Sequence, residues 1–210
     1  MKTQENKQKT LRMAELGILL ALVVVLQSIF SIGFINICLC LVPITLGAIL
    51  LDWKGGAALG VAFGVVAAFW GIMGKDLFTF YLFSANPAMT IVICLVKGAL
   101  AGIAPALIYK WLSGYEYKNS KLVASIVASL SAPIVNTGIF ALGCAVIKND
   151  VIEAMLNLGE KLQVNFDVSN FFTLLFVTII GTNFFLEFFI NAVFSPALNR
   201  LVAIIKKNKA

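Results

Sequence analysis

The sequence predicts an all-α integral membrane protein, a bundle of six transmembrane helices with both termini cytoplasmic and a short amphipathic helix between helices five and six. Three observations lead there. Of 210 residues, 60% are hydrophobic and 12% charged, with a mean hydropathy of +0.97, which is more apolar side chain than a soluble domain of this size can hide. The apolar residues fall in uncharged runs long enough to cross a hydrocarbon core of about 30 Å, a distance that takes about 20 helical residues. Finally, 16 Gly beside 17 Phe give the small-plus-large packing mix of helices in lipid. Disorder, a coiled coil and nucleic-acid binding are excluded, because most Lys and Arg residues behind the +6 net charge lie outside the apolar runs, where they set topology.

The stretch from Leu16 to Leu51 carries no charge and is too long for one span, so it must fold back. A turn at Ser31-Ile32-Gly33-Phe34-Ile35-Asn36 divides it into a first helix over about 11–30 and a shorter second helix over about 37–51 that contains Pro43. The polar turn Asp52-Trp53-Lys54 opens the third, about 55–73. Asn86 and Pro87 start the fourth, about 87–112, the first as a cap for free amides and the second at the position where a missing N–H costs nothing. That helix stops at Ser113-Gly114. A polar connection, Tyr115 to Lys121, leads into the fifth, about 121–147, which Pro133 should bend. In the polar segment that follows, Val151, Met155, Leu158 and Leu162 share one helical face, the pattern of an amphipathic helix lying at the membrane interface. The sixth helix runs over about 170–204, longer than a span needs, so tilt, a bend at Pro196 or protrusion must absorb the excess. Residues 1–210 form one domain on this reading.

With six spans both termini share a side. Lys2, Lys7, Lys9, Arg12, Lys54, Lys110, Lys118, Lys121, Arg200, Lys206, Lys207 and Lys209 fall on it, against Lys75, Lys148 and Lys161 opposite. Twelve cations against three place that side in the cytoplasm. The basic start has no small-residue cleavage site after it, so the first helix is expected to be retained and not removed as a signal peptide.

Gly56, Gly60 and Gly64 recur at fours, as do Gly98 and Gly102, and Gly17 with Ala21. Such strips let helices approach closely. Intramolecular packing accounts for all of them, except that the strip on the first helix, at the edge of a bundle, has a partner subunit as its alternative. Two ionisable residues interrupt apolar helices: Lys97, about 16 Å along the fourth helix, and Glu187 at a similar depth in the sixth. Charges this deep are either a locking ion pair or a functional site in which Lys97 receives an anionic substrate group. Asn136 and Thr137 lie at the same level, and Asn183, Glu187 and Asn191 at successive fours share one face. Trp70, Phe78, Phe80, Tyr81 and Phe83 read as an interfacial aromatic belt from which one or two residues could cover a ligand.

Cys38, Cys40, Cys94 and Cys144 lack ligand spacing and there is no His, so neither a metal nor a cofactor is expected. No nucleotide loop or nucleophile elbow is present. The chain alone cannot hydrolyse ATP, and no catalytic residues are expected.

Leu41-Val42-Pro43-Ile44-Thr45-Leu46-Gly47-Ala48, then Asp52-Trp53-Lys54-Gly55-Gly56-Ala57-Ala58-Leu59-Gly60, Asn86-Pro87 with Lys97-Gly98-Ala99-Leu100-Ala101-Gly102, and Ala132-Pro133-Ile134-Val135-Asn136-Thr137-Gly138 resemble the substrate-binding S component of an energy-coupling factor (ECF) vitamin transporter. The resemblance implies a high-affinity binding subunit of an ABC importer in a prokaryotic plasma membrane. Its partners would be a membrane coupling subunit and two ATPases. Family members bind a vitamin or its precursor from outside, near the outer ends of helices four to six and loops 1–2 and 3–4. This makes Asn86, Thr90, Lys97, Asn136, Thr137, Asn183, Glu187 and Trp70 the candidate substrate residues, and Gly17 with Ala21 the candidate coupling-subunit contact. Lys97 favours an acid, and pantothenate, carboxylated with hydroxyls and an amide, suits Asn136, Asn183 and Glu187. Riboflavin, folate or a thiamine precursor are the other vitamins in view. A membrane enzyme or an assembly subunit is the competing class.

Overall fold

The computed structural model describes residues 2–32, 35, 36, 38–115 and 119–209. Helix α1 spans Lys2–Phe30, and two short antiparallel strands follow, β1 (Ser31–Ile32) and β2 (Ile35–Asn36), with Ser31 opposite Asn36. They bracket the expected turn, whose Gly33 and Phe34 lie outside the described residues, as do Glu116 to Lys118 of the polar connection. The remaining helices are α2 (Leu41–Ile72), α3 (Leu77–Ala85), α4 (Pro87–Ser113), α5 (Ser120–Val146), α6 (Lys148–Leu162), the short α7 (Phe171–Thr173), a π-helical stretch Leu174–Ile179, and α8 (Gly181–Lys209). Among the described residues five helical segments are long and apolar enough to cross a membrane: Asn6–Ile29, Leu41–Ile72, Pro87–Ser113, Ser120–Val146 and Asn183–Ile205.

Four sequence expectations need correction. First, α1 begins well before residue 11, because the polar residues ahead of the apolar run are good helix formers and extend it. Second, the second and third helices follow without a loop: α2 runs through both and breaks at Asp52, whose φ of 63° and ψ of −176° lie in a region that side chains rarely adopt. Third, the aromatic segment before the fourth helix is itself helical, since Asp76 caps α3 by accepting from the Thr79 amide at 3.1 Å and the Thr79 hydroxyl at 2.7 Å. Fourth, the last helix starts as α7 and a π turn, in which the Ile180 amide reaches back five residues to the Leu175 carbonyl at 3.0 Å. A π turn and an α turn of this composition look alike in sequence.

The amphipathic helix forms where expected, as α6, but its apolar face is covered by protein. Val151, Met155 and Leu158 are fully buried with Phe78 and Leu82 of α3 and with Phe171, Leu174 and Leu175. Leu162 stays exposed. The carboxylate of Asp150 accepts from the Asn86 side-chain amide at 2.8 Å, tying the start of α6 to the α3–α4 junction.

In the bundle α4 packs between α2 and α5, α1 flanks α2, and α8 flanks α5. The closest of these contacts is made by backbone. A methyl group added at Gly60 would overlap the Gly98 carbonyl, one at Gly56 the Gly102 carbonyl, and one at Gly64 the Cys94 carbonyl. The two glycine strips therefore face each other antiparallel, and the intramolecular reading holds for both. Pro133 and Pro196 both stay inside continuous helices, α5 and α8. At Pro196 the lost amide frees the Ala192 carbonyl, and the Ser195 hydroxyl donates to it at 2.8 Å.

Candidate functional site

The α2–α4 contact fixes Lys97 beside Gly98, one residue from a backbone-to-backbone approach in that interface. From there its side chain enters a cavity of about 70 Å³ lined also by Cys38, Asp76, Phe78, Thr79, Asn136, Thr137, Phe140, Ile179, Ile180, Asn183, Phe184 and Glu187. Five of the eight residues singled out in the sequence as substrate residues meet here: Lys97 from α4, Asn136 and Thr137 from α5, and Asn183 and Glu187 from α8. Pockets for vitamin-sized ligands hold several hundred Å³. A cavity of about 70 Å³ has room for a few waters, so a larger ligand requires the walls to part.

The Lys97 ammonium lies 4.8 Å from the ring centre of Phe140 and 5.8 Å from that of Phe63, within cation–π range of both. Among the described residues no ion pair joins it to Glu187. The Glu187 carboxylate, 3% exposed, accepts from the Cys38 backbone amide at 3.4 Å and from the Asn136 side-chain amide at 3.4 Å. The locking ion pair weighed from sequence is thus not a direct contact here. The Asn136 carbonyl oxygen is buried and has no hydrogen-bond partner among the described residues. Burying such an acceptor costs about 1–3 kcal/mol if nothing donates to it.

The predicted polar face of the last helix forms, with different roles along it. Asn183 and Glu187 line the cavity, whereas Asn191 is fully buried and donates to the Glu187 carbonyl one turn below at 2.8 Å. The three other candidates lie outside the lining. Asn86 caps α4 by accepting from the Met89 amide at 3.2 Å, and the Thr90 hydroxyl donates to the Asn86 carbonyl at 2.7 Å. The Trp70 indole donates to the Ser28 hydroxyl on α1 at 3.1 Å.

Asp76 and Thr79 were missed in the sequence. Their signal was Asp76 ahead of an apolar segment, a residue type favoured at helix N-caps, and α3 turns that cap toward the cavity. The cavity-lining Phe140, Ile179, Ile180 and Phe184 gave no signal, being apolar residues in apolar runs. All four cysteines are buried, and none forms a disulfide among the described residues.

The strip on α1 differs from the other two. Gly17 and Ala21 are exposed, and a methyl group at Gly17 would meet nothing within 4 Å. The core side of the same helix is the Leu19–Val23–Gln27 stripe, at 5%, 0% and 1% exposure.

The family model for the ECF transporter substrate-specific component matches residues 11–198. The chain belongs to that family. No curated protein and no solved structure matches it. As an ECF substrate-specific component it is a membrane transport subunit and not an enzyme, and membership implies association with an ECF coupling subunit and ATPases.

Proposed function

We propose that the cavity around Lys97 is the site at which this ECF subunit, in a prokaryotic plasma membrane, captures a vitamin or vitamin precursor, and that the substrate is pantothenate. The observation that carries the reading is the Lys97 ammonium itself, resting on aromatic faces in the cavity, with no carboxylate in ion-pair contact with it among the described residues. A substrate carboxylate replaces that resting contact with a charge-assisted hydrogen bond. The substrate hydroxyls and amide N–H suit the acceptors Glu187 and Asn136. The deciding experiment is mass spectrometry of what copurifies with the protein, followed by calorimetry with pantothenate. Absence of pantothenate binding overturns the choice of substrate.

Asp76 favours a second substrate. Two carboxylates beside one ammonium suit a ligand richer in donors than in negative charge, such as the aminopyrimidine of a thiamine precursor. Binding of that compound in place of pantothenate would select it.

The proposal includes six spans, obtained by counting α2 as two segments about its break at Asp52, with both termini in the cytoplasm. The segment Leu41–Leu51 is about 16 Å long, about half a span. The support is the cation count of twelve against three. In intact cells a membrane-impermeant thiol reagent is expected to label cysteines introduced near Lys75 or Asp150. Labelling near Lys118 instead reverses the orientation.

Transport requires the coupling subunit and two ATPases, for which Gly17 and Ala21 offer the docking strip. Gly17→Trp and Ala21→Trp should fold normally, since both sites are open, and should bind substrate with unchanged affinity. ATP-driven uptake by the reconstituted complex should fall at least about tenfold, because a bulky ring prevents close helix approach. Unchanged uptake places the coupling contact elsewhere.

A further inference from the structure

The cavity holds more negative charge than positive. Among the described residues its lining sets the Lys97 ammonium against the carboxylates of Asp76 and Glu187. Asp76 accepts from the Thr79 amide at 3.1 Å and from the Thr79 hydroxyl at 2.7 Å, ordinary lengths for such bonds. Glu187 is served less well. Both nitrogen donors to its carboxylate, the Cys38 amide and the Asn136 side chain, stand at 3.4 Å, whereas N–H···O bonds normally close to about 2.9–3.0 Å. The Cys38 thiol supplies a third bond, and a thiol is a weak donor. A carboxylate has about four acceptor positions, so this one, deeply buried, has its charge only partly answered by the protein.

A second oxygen beside it lacks a donor altogether. Three buried side-chain oxygens have no hydrogen-bond partner among the described residues, those of Thr45, Asn136 and Asn191, and Asn136 is the one whose residue lines the cavity. It is 5% exposed. Turning its amide round is no remedy, because that would set its carbonyl against the Glu187 carboxylate. The orientation thus puts a charged and a neutral oxygen side by side, and Thr137, the next residue, also lines the cavity and carries a hydroxyl. A water would donate to the Asn136 oxygen and bring no charge to Glu187. A cation answers both at once.

We propose that Glu187, Asn136 and Thr137 form a binding site for a small monovalent cation, sodium. One such charge, added to Lys97, balances Asp76 and Glu187. Oxygen donors suit hard cations, and among the described residues no three His, Cys, Asp or Glu side chains group as a transition metal requires. Calcium takes about 6–8 oxygens and magnesium sheds its waters reluctantly. One carboxylate and two neutral oxygens in a cavity of about 70 Å³ meet neither demand. The site goes beyond the capture of a vitamin and stands whichever vitamin the cavity takes, because it rests on the charges and oxygens of the chain itself.

The test uses the purified full chain in detergent, without substrate, at fixed pH and ionic strength. Replacing choline chloride with about 150 mM sodium chloride, well above the dissociation constant of a specific site, is expected to raise the melting temperature by at least about 4 °C. Equilibrium dialysis against radioactive sodium should find a single ion retained per chain. Glu187→Gln removes the charge and should abolish retention. Thr137→Val, close in shape to the native residue, removes one oxygen and should weaken retention at least about fivefold, the loss of about 1 kcal/mol. Glu160→Gln, on the exposed side of α6, should leave both readouts as in the native protein. Equal melting temperatures in sodium and choline, no sodium retained by the native protein, or undiminished retention in either site variant that folds overturns the site. None of these results bears on whether pantothenate binds, so the two readings fail separately.

Discussion

Replacing Lys97 with Met is expected to weaken substrate binding ten- to hundredfold while leaving the bundle folded. The substitution keeps the length of the stem and removes the ammonium, so a charge-assisted hydrogen bond worth about 1.5–3 kcal/mol is lost. Stability is largely spared because Glu187 makes its hydrogen bonds to other groups and feels Lys97 only as a charge through space. Its carboxylate is held by the Cys38 amide and the Asn136 side chain, and what Lys97 leaves behind is two aromatic rings, Phe63 and Phe140, against which a thioether packs well. The melting temperature should therefore stay within about 3 °C of the native value, the shift produced by about 1 kcal/mol in a chain of this size. The measurement is affinity for the copurifying vitamin alongside a thermal melt. A large drop in melting temperature that Lys97→Met/Glu187→Gln repairs, with normal binding in the double variant, would mean that the two residues serve each other and not a ligand.

Gly60→Leu is expected to do the opposite and remove the fold, with substrate binding lost only as a consequence. Facing Gly60 is the Gly98 carbonyl, and Gly98 in turn faces the Gly60 carbonyl. Backbone cannot swing aside as a side chain can, so α2 and α4 must separate along the strip that includes Gly56, Gly64 and Gly102. The cost should exceed about 4 kcal/mol, at the upper end of single substitutions. Size-exclusion profiles and yield in detergent are the readout, with Gly17→Leu as the control. Gly17 has open space around it, so that variant should behave as native. A monodisperse Gly60→Leu protein with native yield would show that the two helices are not held at backbone contact.

The same glycine spacing thus serves two purposes in one chain, and the spacing does not separate them. What separates them is the neighbour each strip meets in the fold.

The apolar runs, the capping pair Asn86-Pro87, the interruption at Asp52 (though as a break in one helix and not a turn) and the face shared by Asn183, Glu187 and Asn191 were legible in the sequence because each depends on local rules: helical period, backbone capping and the cost of charge in lipid. Lys97 and Glu187 stood out for the same reason, as did the level they share with Asn136 and Thr137. Tertiary structure alone decided that Lys97 rests on Phe63 and Phe140, that Asp76 joins the cavity, that Asn86 and Trp70 support it from outside the lining, and that α6 buries its apolar face on α3. None of these has a sequence signature, because each depends on which surface another helix brings within a few ångströms, and in a uniformly apolar chain many surfaces could pair. The backbone contact between Gly60 and Gly98 selects one pairing, and the positions of the polar side chains follow from it.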